Sequence, residues 1–139
     1  MSGARVTVGL RSMLPSGAQS TFLMVLEGLF SPGEKILLKP DLLHGLEPDR
    51  CVTTHPAVVA AIARLLVEHG CRVLIADSPG GGVTYSEANL RRAYARAGYM
   101  AAAEETGAAL NYDTGSSSVS FPQGAVMRQF SIITPCRGG

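Results

Sequence analysis

Two short polar runs hold the residues of this chain best suited to chemistry. Lys39-Pro40-Asp41 follows an apolar stretch, and Asp77-Ser78-Pro79 with Gly80-Gly81-Gly82 follows another. Between them Thr53-Thr54-His55-Pro56 opens a helical pattern. A lysine ammonium, two carboxylates, three hydroxyls and an imidazole on one rim could bind a small anionic or polar ligand. Asp41, His55 and Asp77 offer a second reading, oxygen and nitrogen donors for a metal ion. Gly80 and Gly81, ahead of a helix, resemble a cradle of backbone N–H groups for an anion. The glycine run lacks the Lys-Ser/Thr ending of a P-loop and is not G-x-G-x-x-G, so it does not specify a nucleotide. Neither G-x-S-x-G nor H-E-x-x-H occurs.

Plainer uses compete with each of these. Asp77 and Ser78 could end a strand and cap a turn. Thr54 or His55 could be a helix cap, and Lys39 a solvated strand end. His44, His69 and Asp113 fit packing, surface or turn roles.

The elements that would position these residues follow from periodicity. Residues 34–39 (EKILLK) and 71–76 (CRVLIA) are apolar runs bounded by turn signals, the pattern of buried strands. Between them a helix runs from Pro56 to His69 with Val58, Val59, Ile62, Leu65 and Leu66 on one face, and Gly70 is its stop. Strand, loop, helix and strand make a βαβ crossover, so the strands are parallel and their polar ends share the carboxyl edge. Further strands are expected at 4–10 and 108–112, and further helices from Ser20 or Thr21 to Phe30, from Thr84 or Ser86 to Ala97, and over 100–106. Gly115–Ser118 reads as a flexible turn, and 119–121 with 125–133 as a hairpin through Pro122-Gln123-Gly124. On these surfaces, Arg64–Glu68 and Glu87–Arg91 are spaced for i,i+4 ion pairs. The fold class is α/β: a Rossmann-like three-layer arrangement, mostly parallel, with a C-terminal hairpin, forming one domain over 1–139.

Totals narrow the function. A chain of 139 residues with 46% hydrophobic and 17% charged composition suits one soluble domain with a core. A net charge of +1 without a basic stripe argues against nucleic acid as a partner. The apolar run 22–30 is interrupted by Glu27 and too short for a bilayer, and the N-terminus lacks signal-peptide character. Cytoplasmic location and no membrane partner are the expectations. Cys51, Cys71 and Cys136 form no C-x-x-C pair, so they are read as reduced thiols rather than cluster or zinc ligands.

Lys39-Pro40-Asp41-Leu42-Leu43, Thr53-Thr54-His55-Pro56, Val58-Val59 and Asp77-Ser78-Pro79-Gly80-Gly81 occur in an order that resembles the family known as domain of unknown function 362. Ala93-Tyr94, Gly98 and Ala103–Gly107 continue the likeness, which covers about Glu34 to Asp113. The family usually has Asn at the place of Asp41. The resemblance implies an iron–sulfur-associated protein, with 4Fe-4S clusters in longer relatives and no cofactor in this chain. It also implies that the chain is the N-terminal part of a longer domain. No catalytic residue carries over, and whether the protein is an enzyme is left open. Three readings follow: a ligand-binding α/β domain using Lys39, Asp41, Thr53, Thr54, His55, Asp77, Ser78, Gly80 and Gly81, with an iron–sulfur partner; a non-catalytic fragment that self-associates; and a metal-binding domain.

Overall fold

The computed structural model describes residues 28–136. The strand expected at 4–10 and most of the helix expected up to Phe30 lie outside them; Gly28 and Leu29 are helical. The described elements are β1 (Lys35–Leu38), α1 (Pro56–Glu68), β2 (Arg72–Ile75), α2 (Glu87–Arg96), α3 (Tyr99–Thr106), β3 (Ala109–Leu110), β4 (Ser116–Ser120) and β5 (Gln129–Ile133).

Each boundary has a local cause. Pro56 starts α1 where a missing N–H does no harm, and the His55 imidazole caps the first turn. Gly70 ends α1 at φ +90°, a conformation glycine adopts without strain. Ser86 caps α2 by accepting from the Asn89 N–H at 3.4 Å. Gly98, at φ +77°, turns α2 directly into α3.

β1, β2 and β3 form a parallel sheet in that order, with Ile36 beside Val73 and Ile75 beside both Leu38 and Leu110. Strand order advances in one direction, so two right-handed crossovers put all their helices on the same face. The packing agrees. Ile36 and Val73 cluster with Ala63 and Leu66 of α1, while Ile75 clusters with Val59 of α1, Leu90, Ala93 and Tyr94 of α2, and Tyr99 and Ala103 of α3. Burial of each large apolar side chain here contributes about 1.5–3 kcal/mol. The alternate residues Lys35, Leu37, Arg72, Leu74 and Ala109 face the other way and are exposed or half-buried. The α/β class and the parallel sheet therefore hold, but the described residues show one helical layer, not a three-layer sandwich. Among them no helix is long and apolar enough to cross a membrane.

The C-terminal hairpin begins earlier than its sequence suggests. Ser116–Ser118, expected as a turn, pair in register with Ser131–Ile133, and the connection spans 121–128. Serine carries no apolar signal, so the apolar β5 selects this partner through main-chain bonding. Directly opposed residues share a face. Ser117, Val119, Phe130 and Ile132 line one face; Ser116, Ser118, Ser120, Gln129, Ser131 and Ile133 line the other.

Candidate functional site

The carboxyl ends of β1 and β2 are joined through one side chain. Asp77, at the end of β2, is buried, and its Oδ1 lies 2.5 Å from the Lys39 ammonium at the end of β1. Its Oδ2 accepts the Leu42 N–H at 2.9 Å. Both oxygens are thus committed, as burial of a carboxylate requires. The Lys39 side chain keeps 48% exposure and holds its remaining N–H donors toward solvent.

The loop between β1 and α1 is fixed at several points. Asp41 donates its N–H to Thr54 Oγ1 at 3.0 Å, and the Thr54 N–H returns to the Asp41 carbonyl at 2.9 Å. Tyr99 donates its hydroxyl to the Thr54 carbonyl at 2.8 Å. Arg96 of α2 donates through two nitrogens to the two Glu47 oxygens, each at 3.0 Å, and this fork holds the Glu47 carboxyl below its usual range. Gly45 is buried at φ +58°, and a Cβ there would collide with the main chain of Ala93. Leu43 and Cys51 adopt left-handed backbone, at φ 45° and 53°. Such strain persists only where surrounding structure fixes it.

The glycine turn meets this loop directly. Gly80 donates to the Leu43 carbonyl at 2.9 Å, and Val83 to the Gly80 carbonyl at 3.2 Å. Gly81, at φ +61°, lies under the His44 imidazole, which a Cβ would strike. The N–H groups of Gly81 and Gly82 have no hydrogen-bond partner among the described residues.

Of the residues expected at the rim, Lys39, Asp41, Thr54, Asp77 and Gly80 are wired together, Gly81 adjoins them through His44, and Ser78 is exposed beside them. Thr53 turns away: it is buried and donates to the Leu46 carbonyl of its own loop. His55 takes the capping role, its Nδ1 accepting the Ala57 N–H at 3.2 Å. Asp41, His55 and Asp77 do not assemble as a donor set; among the described residues no group of three or more His, Cys, Asp or Glu could hold a metal ion. The Asp77 oxygens and the His55 Nδ1 are already engaged.

Several contributors left no signal in the sequence. The Leu42 N–H, Tyr99 and the Glu47–Arg96 fork act through contacts remote along the chain. Beneath the edge, Tyr94 is fully buried, and its hydroxyl has no partner in hydrogen-bonding geometry among the described residues. The Asp77 main chain lies close enough to favour its ionised form, yet burial dominates and pushes the phenol upward. Beside it, Asn111 donates through Nδ2 to the Tyr85 hydroxyl at 3.4 Å and to the Asp113 carbonyl at 2.9 Å. Arg91 stacks 4.2 Å from the Tyr112 ring centre.

Comparison with known proteins supplies a relative but no structural precedent. The chain is 42% identical over 74 residues to a thylakoid-associated protein of Synechocystis sp. PCC 6803, a match spanning 52% of this chain and 21% of that protein. The chain thus matches about a fifth of that relative's length. No solved structure matches it. The family described as domain of unknown function (DUF362) matches residues 36–137, the span that holds the whole Lys39–Asp77 rim. The chain belongs to that family.

Proposed function

We propose that this domain binds a small polar ligand at the carboxyl edge of β1 and β2, with Lys39 as the group that meets it. The observation that carries this reading is the Lys39–Asp77 pair. A buried carboxylate holds the ammonium over the strand ends while half of the lysine side chain stays open. The exposed residues Gly81 and Gly82 supply further main-chain N–H donors on the adjoining glycine turn.

Charge balance chooses between an anionic and a polar ligand. Asp77 cancels the Lys39 charge, and the exposed Asp41 carboxylate adds a negative one. A multiply charged anion would meet little net attraction, whereas a hydroxyl, carbonyl or zwitterionic ligand can use the donors without needing net positive charge. The test is the thermal unfolding of wild type and Lys39→Ala with ribose, glutamate or inorganic phosphate. Ribose or glutamate should raise the wild-type midpoint more than phosphate does, and the variant should bind about tenfold more weakly. No shift with any of the three, or an undiminished shift in the variant, sinks the reading.

A further inference from the structure

The hairpin β4–β5 has an apolar face that nothing in the site uses. Val119, Phe130 and Ile132 line it, and the exposure of its large side chains increases toward the turn. Phe130 is 37% exposed, Phe121 52%, Met127 63% and Val126 93%. Scattered apolar residues on a surface are ordinary; four gathered at the end of one hairpin mark a contact surface. The opposite face carries four serines, Ile133 at its base and Gln129, whose Nε2 donates to Ser118 Oγ at 3.0 Å.

We propose that this hairpin docks the protein onto an anionic lipid surface, apolar face and turn against the acyl boundary. Three observations favour lipid. The tip satisfies part of its own main chain, since Phe121 donates to the Arg128 carbonyl and Gly124 to the Phe121 carbonyl. An apolar tip with internally bonded amides enters the interface at lower cost than an open loop. Arg128 stands at the edge of the apolar group, where its guanidinium can reach lipid phosphates while its stem follows the acyl boundary. From Thr114 to Gly139 the sequence contains Arg128 and Arg137 and no acidic residue, which complements an anionic surface. A second copy is a poorer occupant. Face-to-face pairing would bring two Arg128 side chains together with no carboxylate from this segment between them.

The experiment is flotation of the full chain with vesicles of phosphatidylcholine mixed with phosphatidylglycerol, against phosphatidylcholine alone. Wild type should float with the mixed vesicles and much less with the neutral ones. Replacing Val126→Asp and Met127→Asp together, at positions exposed enough to spare the fold, should weaken binding at least about tenfold. Arg128→Gln should weaken it about fivefold. Circular dichroism matching wild type shows that the variants are folded. Failure of the wild type to float, or undiminished flotation of the Asp pair, overturns the proposal. So does a concentration-dependent dimer abolished by the same pair, which would place a second copy on this face.

Discussion

The rim and the hairpin differ in how their residues are held. At the rim, side chains bond main chain from distant parts of the sequence: Asp77 takes the Leu42 N–H, Thr54 the Asp41 N–H, and Tyr99 reaches the Thr54 carbonyl. In the hairpin the contacts among the described residues are a ladder of near neighbours with one side-chain bond, Gln129 to Ser118. Isolated two-stranded ribbons are marginal in water, so the hairpin gains order from whatever it meets. The rim is ordered by the fold beneath it. One region is built to present fixed donors; the other suits conformational adjustment on contact.

Removing Asp77 is the strongest test of that contrast. Asp77→Ala leaves the buried Leu42 N–H unpaired and releases Lys39 from its carboxylate. The expected loss is about 3 kcal/mol, allowing for the half-exposed lysine. Denaturant unfolding measures it. Hydrogen exchange should quicken across 39–55 and stay unchanged across 116–133, and parallel loosening of both regions would erase the distinction.

Alkaline pH attacks the same region from beneath. Burial pushes the Tyr99 phenol from its ordinary 10.0 up to about 12, with the Thr54 side chain a smaller, opposing influence. The folded state therefore holds this proton more tightly than the unfolded chain. Its contribution is full below pH 10.0 and declines as pH rises through about 12, by about 2 kcal/mol once solvent screening is allowed for. Tyr94 adds to the same trend, being raised further. Unfolding midpoints against pH should fall over this window in wild type and fall less in Tyr99→Phe; identical slopes would refute the assignment.

Tyr94→Phe should produce the smallest change and the opposite sign. Its hydroxyl is buried without a hydrogen-bond partner among the described residues, so deleting it should stabilise the protein by about 1 kcal/mol in denaturant unfolding. A loss of stability would reveal a bond that the fold depends on.

The βαβ unit was legible because its signals are local. Apolar runs at 34–39 and 71–76 became β1 and β2 with ends shifted by one residue, and Pro56 and Gly70 bracket α1 as the capping chemistry requires. The expected helices at 100–106 and up to Ala97 correspond to α3 and α2, and the Glu87–Arg91 pair forms at 2.7 Å. What depended on tertiary approach was hidden. Arg64 pairs with Glu105 on α3 instead of Glu68 one turn away, because α1 packs against α3. Ser116–Ser118 join a strand for the sake of β5. At the site, the grouping of Lys39 with Asp77 followed from parallel strands sharing an edge. That Thr53 would turn inward and His55 cap its own helix could not be separated from the alternatives by residue type.

Gly45 has a kinetic consequence. Its missing side chain lets the loop lie against Ala93, and the Glu47–Arg96 fork fastens the next residues to the same helix. Lifting α2 away from that wall would break buried packing at Leu90, Ala93 and Tyr94. Among the described residues Gly82 has open space where a Cβ would stand, and the atoms nearest to a Cβ at Gly81 belong to the His44 ring. A molecule entering or leaving the strand ends would therefore pass on the glycine side. A ligand bound as proposed would meet the exposed His44 ring there, whose rotation is far faster than unfolding.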